Sequence, residues 1–194
     1  MLTMFVDKEE IGSTSNTGAT SIFFYDVVGK LIALENNIPA RQELDGQIRQ
    51  VLGKSQALSA DVTAAYDPDY KEVFDVNNSA KLGWGVALEK HTGSRGKSYT
   101  SEANAEFMAT MRRVFDDVKV PWQTGGLGKI DVGGGGTIAM FLAEYNMDIV
   151  DCGLPVLSMH APYEIISKGD LYSAYLAYTA FPVSYTHLRA HETN

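Results

Sequence analysis

Strand-like apolar runs alternate with amphipathic helical patterns along most of this 194-residue chain. Apolar residues recur at helical spacing in several segments, and short apolar or alternating runs typical of strands lie between them. The predicted helices are 19–35, 41–54, 101–118, 137–146 and 167–181, and the predicted strands are 1–6, 56–62, 84–90, 127–132 and 147–159. We interpret the polar segment 91–100 as a flexible loop. This order of elements predicts an α/β fold with a mainly parallel sheet.

Composition excludes several classes of protein. Sixteen basic against 24 acidic residues give a net charge of −8, and so acidic a chain is a poor partner for nucleic acid. A hydrophobic content of 45% excludes intrinsic disorder, and the single cysteine, Cys152, excludes an internal disulfide framework. No apolar run reaches the roughly 18 residues of a membrane span, and the first ten residues do not resemble a signal peptide. We therefore expect a cytoplasmic protein that binds neither nucleic acid nor membranes.

Both ends of the chain look unusual. The chain opens directly on an apolar run, which we interpret as an interior strand of a larger protein. The last helical pattern is expected to stop at Pro182. Residues 182–194 are then expected to form an unstructured tail, which could be a sequence artefact, so His187 and His191 are discounted as a metal pair. The expected catalytic portion is 1–181.

Four acidic or histidine side chains follow predicted strands: Glu9, Glu10, Asp61 and His160. Ligands of open α/β sheets gather at the carboxyl ends of strands. Carboxylates and an imidazole are donors that suit zinc, and adjacent glutamates can divide the roles of ligand and base. Each residue also has an interpretation that involves no metal. The two glutamates could be solvated surface residues, Asp61 could cap a turn, and His160 could be a half-buried side chain with its hydrogen bonds satisfied.

A run of four glycines, 133–136, precedes Thr137 and opens a predicted helix. Such a run lets the backbone approach a ligand closely, and helix N-termini attract anions. The run lacks the Lys-Ser/Thr of a phosphate-binding loop and the full dinucleotide fingerprint. A tight strand-to-helix turn explains it equally well.

Taken together, these motifs resemble one family, the dizinc aminopeptidases of the aspartyl aminopeptidase and vacuolar aminopeptidase I type. The matching segments are DKEEIGS at 7–13, LSADVTAAYDPDY at 58–70, NNSAKLGWGVALEKHTGSRGKS at 77–98, GGGGT at 133–137 and DCGLPVLSMHAPYEIISKGDLYSAY at 151–175. The resemblance covers about residues 1–181. It implies a three-layer αβα sandwich of the metallo-exopeptidase type, of which this chain would be the C-terminal part of the catalytic domain.

The resemblance also implies roles for individual residues. Glu9 resembles the general base that takes a proton from a metal-bridging water. Glu10, Asp61 and His160 resemble ligands of two zinc ions. Gly135, Gly136 and Thr137 fall where the family lines its substrate pocket. The implied activity is removal of N-terminal residues from peptides, by a protein that forms homo-oligomers when full length.

The chain departs from the family pattern in one respect. The family's first histidine ligand, its metal-bridging aspartate and its dimerisation domain all lie ahead of DKEE, where this sequence has no matching residues. The resemblance therefore implies that this chain is inactive alone, and we expect it to associate or aggregate. The family includes members that prefer acidic and members that prefer neutral or hydrophobic N-terminal residues, and the bacterial look of the GGGGT and KHTGSRGKS segments favours the second group.

Two other functions remain open from the sequence. One is a non-catalytic binding or scaffold domain that keeps the fold without the metals. The other is a nucleotide-binding protein that uses GGGGT for phosphate, although this leaves Glu9, Glu10, Asp61 and His160 without a role.

Overall fold

A computed structural model describes residues 1–39 and 44–192 of the chain. Its helices are α1 (Phe23–Glu35), α2 (Asp45–Leu52), α3 (Ala105–Asp117), α4 (Ala139–Ala143) and α5 (Lys168–Glu192). Its strands are β1 (Gln56–Ser59), β2 (Thr63–Ala64), β3 (Val86–Glu89), β4 (His91–Ser94), β5 (Ser98–Glu102), β6 (Trp122–Gly125), β7 (Asp148–Gly153), β8 (Pro155–Leu157) and β9 (Ile165–Ile166). Short 3₁₀ helices occupy Glu9–Ile11 and Pro68–Val73. None of the helices in the described part of the chain is long and apolar enough to cross a bilayer.

The strands form three sheets. The largest has the order β1-β7-β3-β6, in which β3 runs parallel to β6 and antiparallel to β7. In the second sheet β8 lies between β2, to which it is parallel, and β9, to which it is antiparallel. The third is the antiparallel hairpin of β4 and β5. The predicted α/β class is confirmed, with mixed rather than uniform strand directions.

The chain divides into two compact units. The first consists of Met1–Ala57 and Ile138–Asp148, and the second of Leu58–Thr137 and Ile149–Asn194. In the first unit, α1 and α2 bury a small apolar cluster that contains Val28, Ile32, Ile48 and Leu52. Tyr25 of α1 stacks on Tyr145 beside this cluster.

The larger core lies in the second unit, where α3 and α5 pack with β3 and β7. Phe107, Met111 and Phe115 recur every four residues along α3, so one face of that helix is buried. Val86 and Leu88 of β3 lie in the same core. The small residues of α5 that reach this core are Ala174, Ala177 and Ala180. The helices thus bury one face in this core, whereas β3 and β7 are buried on both faces.

The segment 1–6 is not a strand, contrary to the sequence prediction. Asp7 makes a single bridge to Gly18, and Phe5 is 95% exposed. An apolar run becomes a strand only where a partner edge pairs with its backbone, and the described residues supply none beyond this bridge.

Three further predictions in the middle of the chain differ from the structure. Residues 91–100, expected to be a loop, contain β4 and the start of β5, because Ser, Thr and Tyr alternate around a turn at Arg95 and Gly96, both of positive φ. The strand expected at 127–132 lies earlier, as β6. The helix expected from Ser101 begins at Ala105, because the Asn104 side chain caps it by accepting from Phe107 N at 2.7 Å.

The final helix also differs from the prediction that it stops at Pro182. α5 continues through Pro182 to Glu192. A proline removes one helical hydrogen bond, which a helix of 25 residues can tolerate. The side chains of His187 and His191 lie outside the described part of the structure, and the division of the chain at residue 182 stays a prediction.

Candidate functional site

The adjacent glutamates lie on a tight turn in the first unit. Lys8, at φ 66°, and Gly12, at φ 92°, flank the 3₁₀ helix Glu9–Ile11 in left-handed conformations. Gly12 N donates to Glu9 O at 2.9 Å, and Ser13 N donates to Lys8 O at 2.7 Å, which closes the turn. Glycine adopts the left-handed region at no steric cost, so Gly12 ends the turn. The turn presents Glu9 half-buried and Glu10 exposed.

Asp61 lies between β1 and β2 in the second unit. Its Oδ1 accepts a hydrogen bond from Val62 N at 2.7 Å. Its carbonyl oxygen lies so close to Gly153 that a Cβ there would stand only 1.3 Å away. Gly153 therefore allows the Asp61 segment to lie directly on the end of β7.

His160 follows β8 in the same unit. Its backbone has φ 64°, and Ser158 two residues earlier has φ 58°. The backbone N of His160 donates to Glu164 Oε1 at 2.6 Å, and the residue is exposed. Non-glycine residues with positive φ store strain that persists where the surrounding structure fixes them, which is common at functional sites.

The four predicted site residues are divided between the two units. Glu9 and Glu10 belong to the first, and Asp61 and His160 to the second. Asp61 follows a strand of the four-stranded sheet, whereas His160 follows a strand of the sheet that contains β2. Across residues 1–39 and 44–192, no three histidine, cysteine or acidic side chains gather closely enough to hold a metal ion. The shared metal site of Glu10, Asp61 and His160 stays a prediction.

The glycine run lies along the β4–β5 hairpin. Gly93 N donates to Gly135 O at 2.7 Å, and Arg95 N donates to Gly133 O at 2.8 Å. A Cβ on Gly136 would stand 2.7 Å from Tyr99 O, so this close packing requires glycine. The following helix, α4, has only five residues. The run therefore has a structural purpose that does not need a bound phosphate.

Thr137 ends this run and is buried. Its hydroxyl donates to Asp151 Oδ2 at 2.9 Å. The contact fixes the end of the glycine run to β7, and the predicted substrate-binding role of Gly135, Gly136 and Thr137 stays a prediction.

Two buried carboxyl groups, Glu89 and Asp151, were missed by the sequence analysis. They are register partners on β3 and β7, with only 3% and 5% of their surface exposed. Burial raises the pKa of Glu89 to about 8 and that of Asp151 to about 6, because the charged form loses its hydration. The negative charges of Asp61 and Asp151 raise the pKa of Glu89 further. An acidic residue inside each of the apolar runs VALE and DIVDCG was the available signal, since unpaired acids are seldom fully buried.

Each of these carboxyl groups contacts a different segment. The Thr63 hydroxyl donates to Glu89 Oε1, and the Thr137 hydroxyl donates to Asp151 Oδ2. Burial outweighs the hydrogen bonds with Ser59 and Thr137, which lower the pKa of Asp151. We call Glu89 and Asp151 the buried carboxyl pair.

A third buried acid, Asp170, holds a loop at the start of α5. Its two carboxyl oxygens accept from Gly83 N at 2.7 Å and from Gly85 N at 2.8 Å, and the side chain is 1% exposed. It fixes the chain just before β3 and lies apart from the Asp61 segment in sequence.

Comparison with protein families gives one match that covers most of the chain. Residues 1–182 match the family model described as aminopeptidase I zinc metalloprotease (M18). An M18 family aminopeptidase 1 from Clostridium acetobutylicum is 48% identical over 180 residues, which cover 93% of this chain and 38% of the relative. A relative of the same description from Thermotoga maritima is 47% identical over 175 residues.

Solved structures give the same result for the fold. The crystal structure of an M18 family aminopeptidase from Thermotoga maritima has a TM-score of 0.84 at 45% identity and covers 91% of this chain. That of aminopeptidase I from Clostridium acetobutylicum has a TM-score of 0.78 at 47% identity. This chain spans 38% of the first of these structures and 36% of the second.

Proposed function

The chain belongs to the aminopeptidase I zinc metalloprotease (M18) family, and from this membership we propose that it is the C-terminal part of a zinc-dependent aminopeptidase that removes N-terminal residues from peptides. The observation that carries the proposal is the family match over residues 1–182, which includes all four candidate site residues. We propose that the whole protein acts in the cytoplasm and that its substrates are peptides.

The donor chemistry of the candidate ligands fits zinc. Glu10 and Asp61 offer carboxylate oxygens and His160 offers an imidazole nitrogen, which are the protein donors that zinc accepts beside thiolate. We assign these three side chains as ligands within a two-ion site. When bound, zinc supplies Lewis acidity and lowers the pKa of water.

Glu9 is assigned as the general base. Glu9 and Glu10 are adjacent on the 3₁₀ helix, and we propose that the first moves protons while the second holds metal. Glu9 takes a proton from the attacking water and delivers it to the leaving amine.

The end of the glycine run is assigned to the substrate pocket. Gly135 and Gly136 lack side chains, so their backbone can approach a peptide closely. Thr137 is held by Asp151, so it contributes by fixing the run rather than by offering its hydroxyl. We propose neutral or hydrophobic N-terminal residues as the preferred substrates.

The 194 residues alone are proposed to be inactive. This chain covers 38% of its relative from Clostridium acetobutylicum, and we propose that residues of the whole protein outside this chain complete the two-ion site. Homo-oligomer formation is proposed for the whole protein, and exposed apolar side chains such as Phe5 and, in the other unit, Tyr163 favour association of the chain. Sedimentation velocity of the purified chain tests this association, and a monomer at all concentrations would contradict it.

A chimera tests the proposed activity. Residues 1–181 would replace the corresponding segment of the Thermotoga maritima relative, which is 47% identical in this region. The chimera should hydrolyse aminoacyl anilides with zinc present, while the 194-residue chain should not. A folded, zinc-loaded chimera without aminopeptidase activity would contradict the proposal.

A further inference from the structure

The backbone of the Asp61 segment is fixed by the end of β7 and the start of β8. Thr63 N donates to Leu154 O at 2.8 Å, and Thr63 is the register partner of Pro155. The missing side chain of Gly153 lets the Asp61 carbonyl approach β7. These contacts fix the position of the segment relative to β7 and β8, but each of them involves only backbone atoms.

A side-chain contact ties the same segment to β3. The Thr63 hydroxyl donates to Glu89 Oε1, and both residues are at least 97% buried. Glu89 lies at the end of β3, between Gly125 of β6 and Asp151 of β7. A Cβ on Gly125 would stand 3.5 Å from Glu89 Oε1, an ordinary contact distance, so β6 packs directly beside the carboxyl group.

We propose that Glu89 is a positioning residue for Asp61, acting through the hydrogen bond from the Thr63 hydroxyl. Asp61 is two residues from Thr63, so the bond to Glu89 fixes the direction in which the short loop between β1 and β2 presents the Asp61 carboxylate. Some residues hold a metal ligand in place without contacting the metal. Removing such a residue typically weakens metal affinity by 10–100-fold. The proposal rests on the proposed function in one respect, the assignment of Asp61 as a zinc ligand.

Paired substitutions separate the hydrogen bond from packing. Glu89→Leu and Thr63→Val remove the acceptor and the donor, respectively, at similar volume. Glu89→Gln keeps an oxygen acceptor, and Thr63→Ser keeps the hydroxyl donor. Asp170→Asn is the matched control, because Asp170 is an equally buried acid in the same unit that contacts Gly83 and Gly85 instead.

Amide hydrogen exchange of the 194-residue chain is the first measurement. Glu89→Leu and Thr63→Val should each speed exchange at Val62 and Thr63 by about tenfold relative to the amides of β7, since one buried hydrogen bond is lost. Glu89→Gln and Thr63→Ser should stay near the wild-type rate, and Asp170→Asn should leave Val62 and Thr63 unchanged. If either Glu89→Leu or Thr63→Val fails to fold, the other variant is used for the test. Unchanged exchange at Val62 and Thr63 in the folded variants would overturn the proposal.

Zinc affinity is the second measurement, made by calorimetric titration with zinc alone after the same substitutions are introduced into the chimera with the Thermotoga maritima relative. Glu89→Leu and Thr63→Val should weaken zinc binding by roughly tenfold or more, with rescue in Glu89→Gln and Thr63→Ser. Wild-type zinc affinity in Glu89→Leu and Thr63→Val, with zinc lost in Asp61→Asn, would overturn the positioning role. If Asp61→Asn binds zinc as the unsubstituted chimera does, or the chimera binds none, the ligand assignment fails, and exchange alone decides whether Glu89 fixes the segment.

Discussion

Glu89 on β3 lies directly opposite Asp151 on β7, so two buried carboxyl groups face one another across an antiparallel ladder. Each accepts a hydroxyl hydrogen bond from a different segment of the candidate site, Glu89 from Thr63 and Asp151 from Thr137. Two buried negative charges at this distance would repel each other, so burial and repulsion keep a proton on the pair. At pH 7 this proton is held by Glu89, whose pKa is about 8, while Asp151, whose pKa is about 6, is mostly ionised.

Stability should fall as pH rises from 6 to 8.5. Burial raises the pKa of Glu89 from 4.5 to about 8, so the folded chain binds the proton more tightly than the unfolded chain does. The stabilisation is complete below the unfolded pKa and is lost as pH rises through the folded one, with a loss of about 2 kcal/mol over this window. Asp151, with a pKa of about 6, adds to the loss at the lower end, and Asp61 is the other acid whose charge raises the pKa of Glu89. Chemical denaturation at several pH values measures this effect.

Glu89→Gln is the control for this pH dependence. The amide cannot ionise, so the slope of unfolding free energy against pH should become flatter by the contribution of one proton. A wild-type chain whose stability rises between pH 6 and 8.5, or an identical slope in Glu89→Gln, would contradict the assignment.

Cys152 should resist thiol reagents in the folded chain. The residue is fully buried in the second unit, and burial raises the pKa of its thiol well above the usual range. Because the thiolate is the reactive form, labelling with a disulfide reagent should be slow in native buffer and complete in denaturant. Stoichiometric labelling within seconds under native conditions would disprove this burial.

Loss of the Asp170 carboxylate should destabilise the second unit. Asp170→Ala leaves the backbone N–H groups of Gly83 and Gly85 buried without their acceptor, at a cost of about 2–4 kcal/mol in unfolding free energy. Asp117→Ala, at an exposed position of α3, is the matched control and should change stability by less than about 0.5 kcal/mol. If the two substitutions changed the unfolding free energy equally, the Asp170 contacts would contribute nothing to stability.

A side chain at Gly153 should displace the Asp61 segment. Gly153→Ala would place a Cβ 1.3 Å from the Asp61 carbonyl oxygen, so the chain must move or unfold, at a cost of more than about 3 kcal/mol. Gly46→Ala in α2 meets no atom within 4 Å and should stabilise the chain by about 0.5 kcal/mol. Thermal unfolding of both variants measures the contrast, and a Gly153→Ala chain as stable as the wild type would contradict the close packing.

Local patterns predicted the parts of the fold that depend on periodicity. The helical spacing of Phe107, Met111 and Phe115 identified α3, and the apolar run that ends at Gly153 identified β7. Segment 1–6 has the composition of a strand but no described partner for pairing, and pairing is a property of the whole fold. Residues 91–100 form most of a hairpin although they are polar. Ser and Thr residues alternate with other residues on either side of its turn, and Thr and Tyr are common in strands.

The sequence predicted which types of residue the candidate site contains, but it did not predict the contacts that surround them. The carboxylates and imidazole of Glu10, Asp61 and His160 suggest zinc chemistry from sequence alone. The place of Asp61, however, depends on Gly153, 92 positions later, and on a hydroxyl bond from Thr63 to Glu89. Contacts between residues so distant in sequence leave no local pattern. The acid in the apolar run VALE indicated that Glu89 is buried, but nothing in the sequence indicated its contact with Thr63.

The separation of base and ligand between Glu9 and Glu10 tests the account most directly, through the zinc content per chain of the two glutamine variants in the chimera. Glu9→Gln should keep its zinc while kcat falls by about 10²–10⁴-fold, because the amide cannot accept a proton. Glu10→Gln should lose zinc, because an amide is a poorer ligand than a carboxylate. Asp69→Asn, at an exposed position of the 3₁₀ helix Pro68–Val73, is the control and should keep both zinc and activity. Zinc lost in Glu9→Gln and retained in Glu10→Gln, or wild-type kcat in Glu9→Gln, would contradict the account.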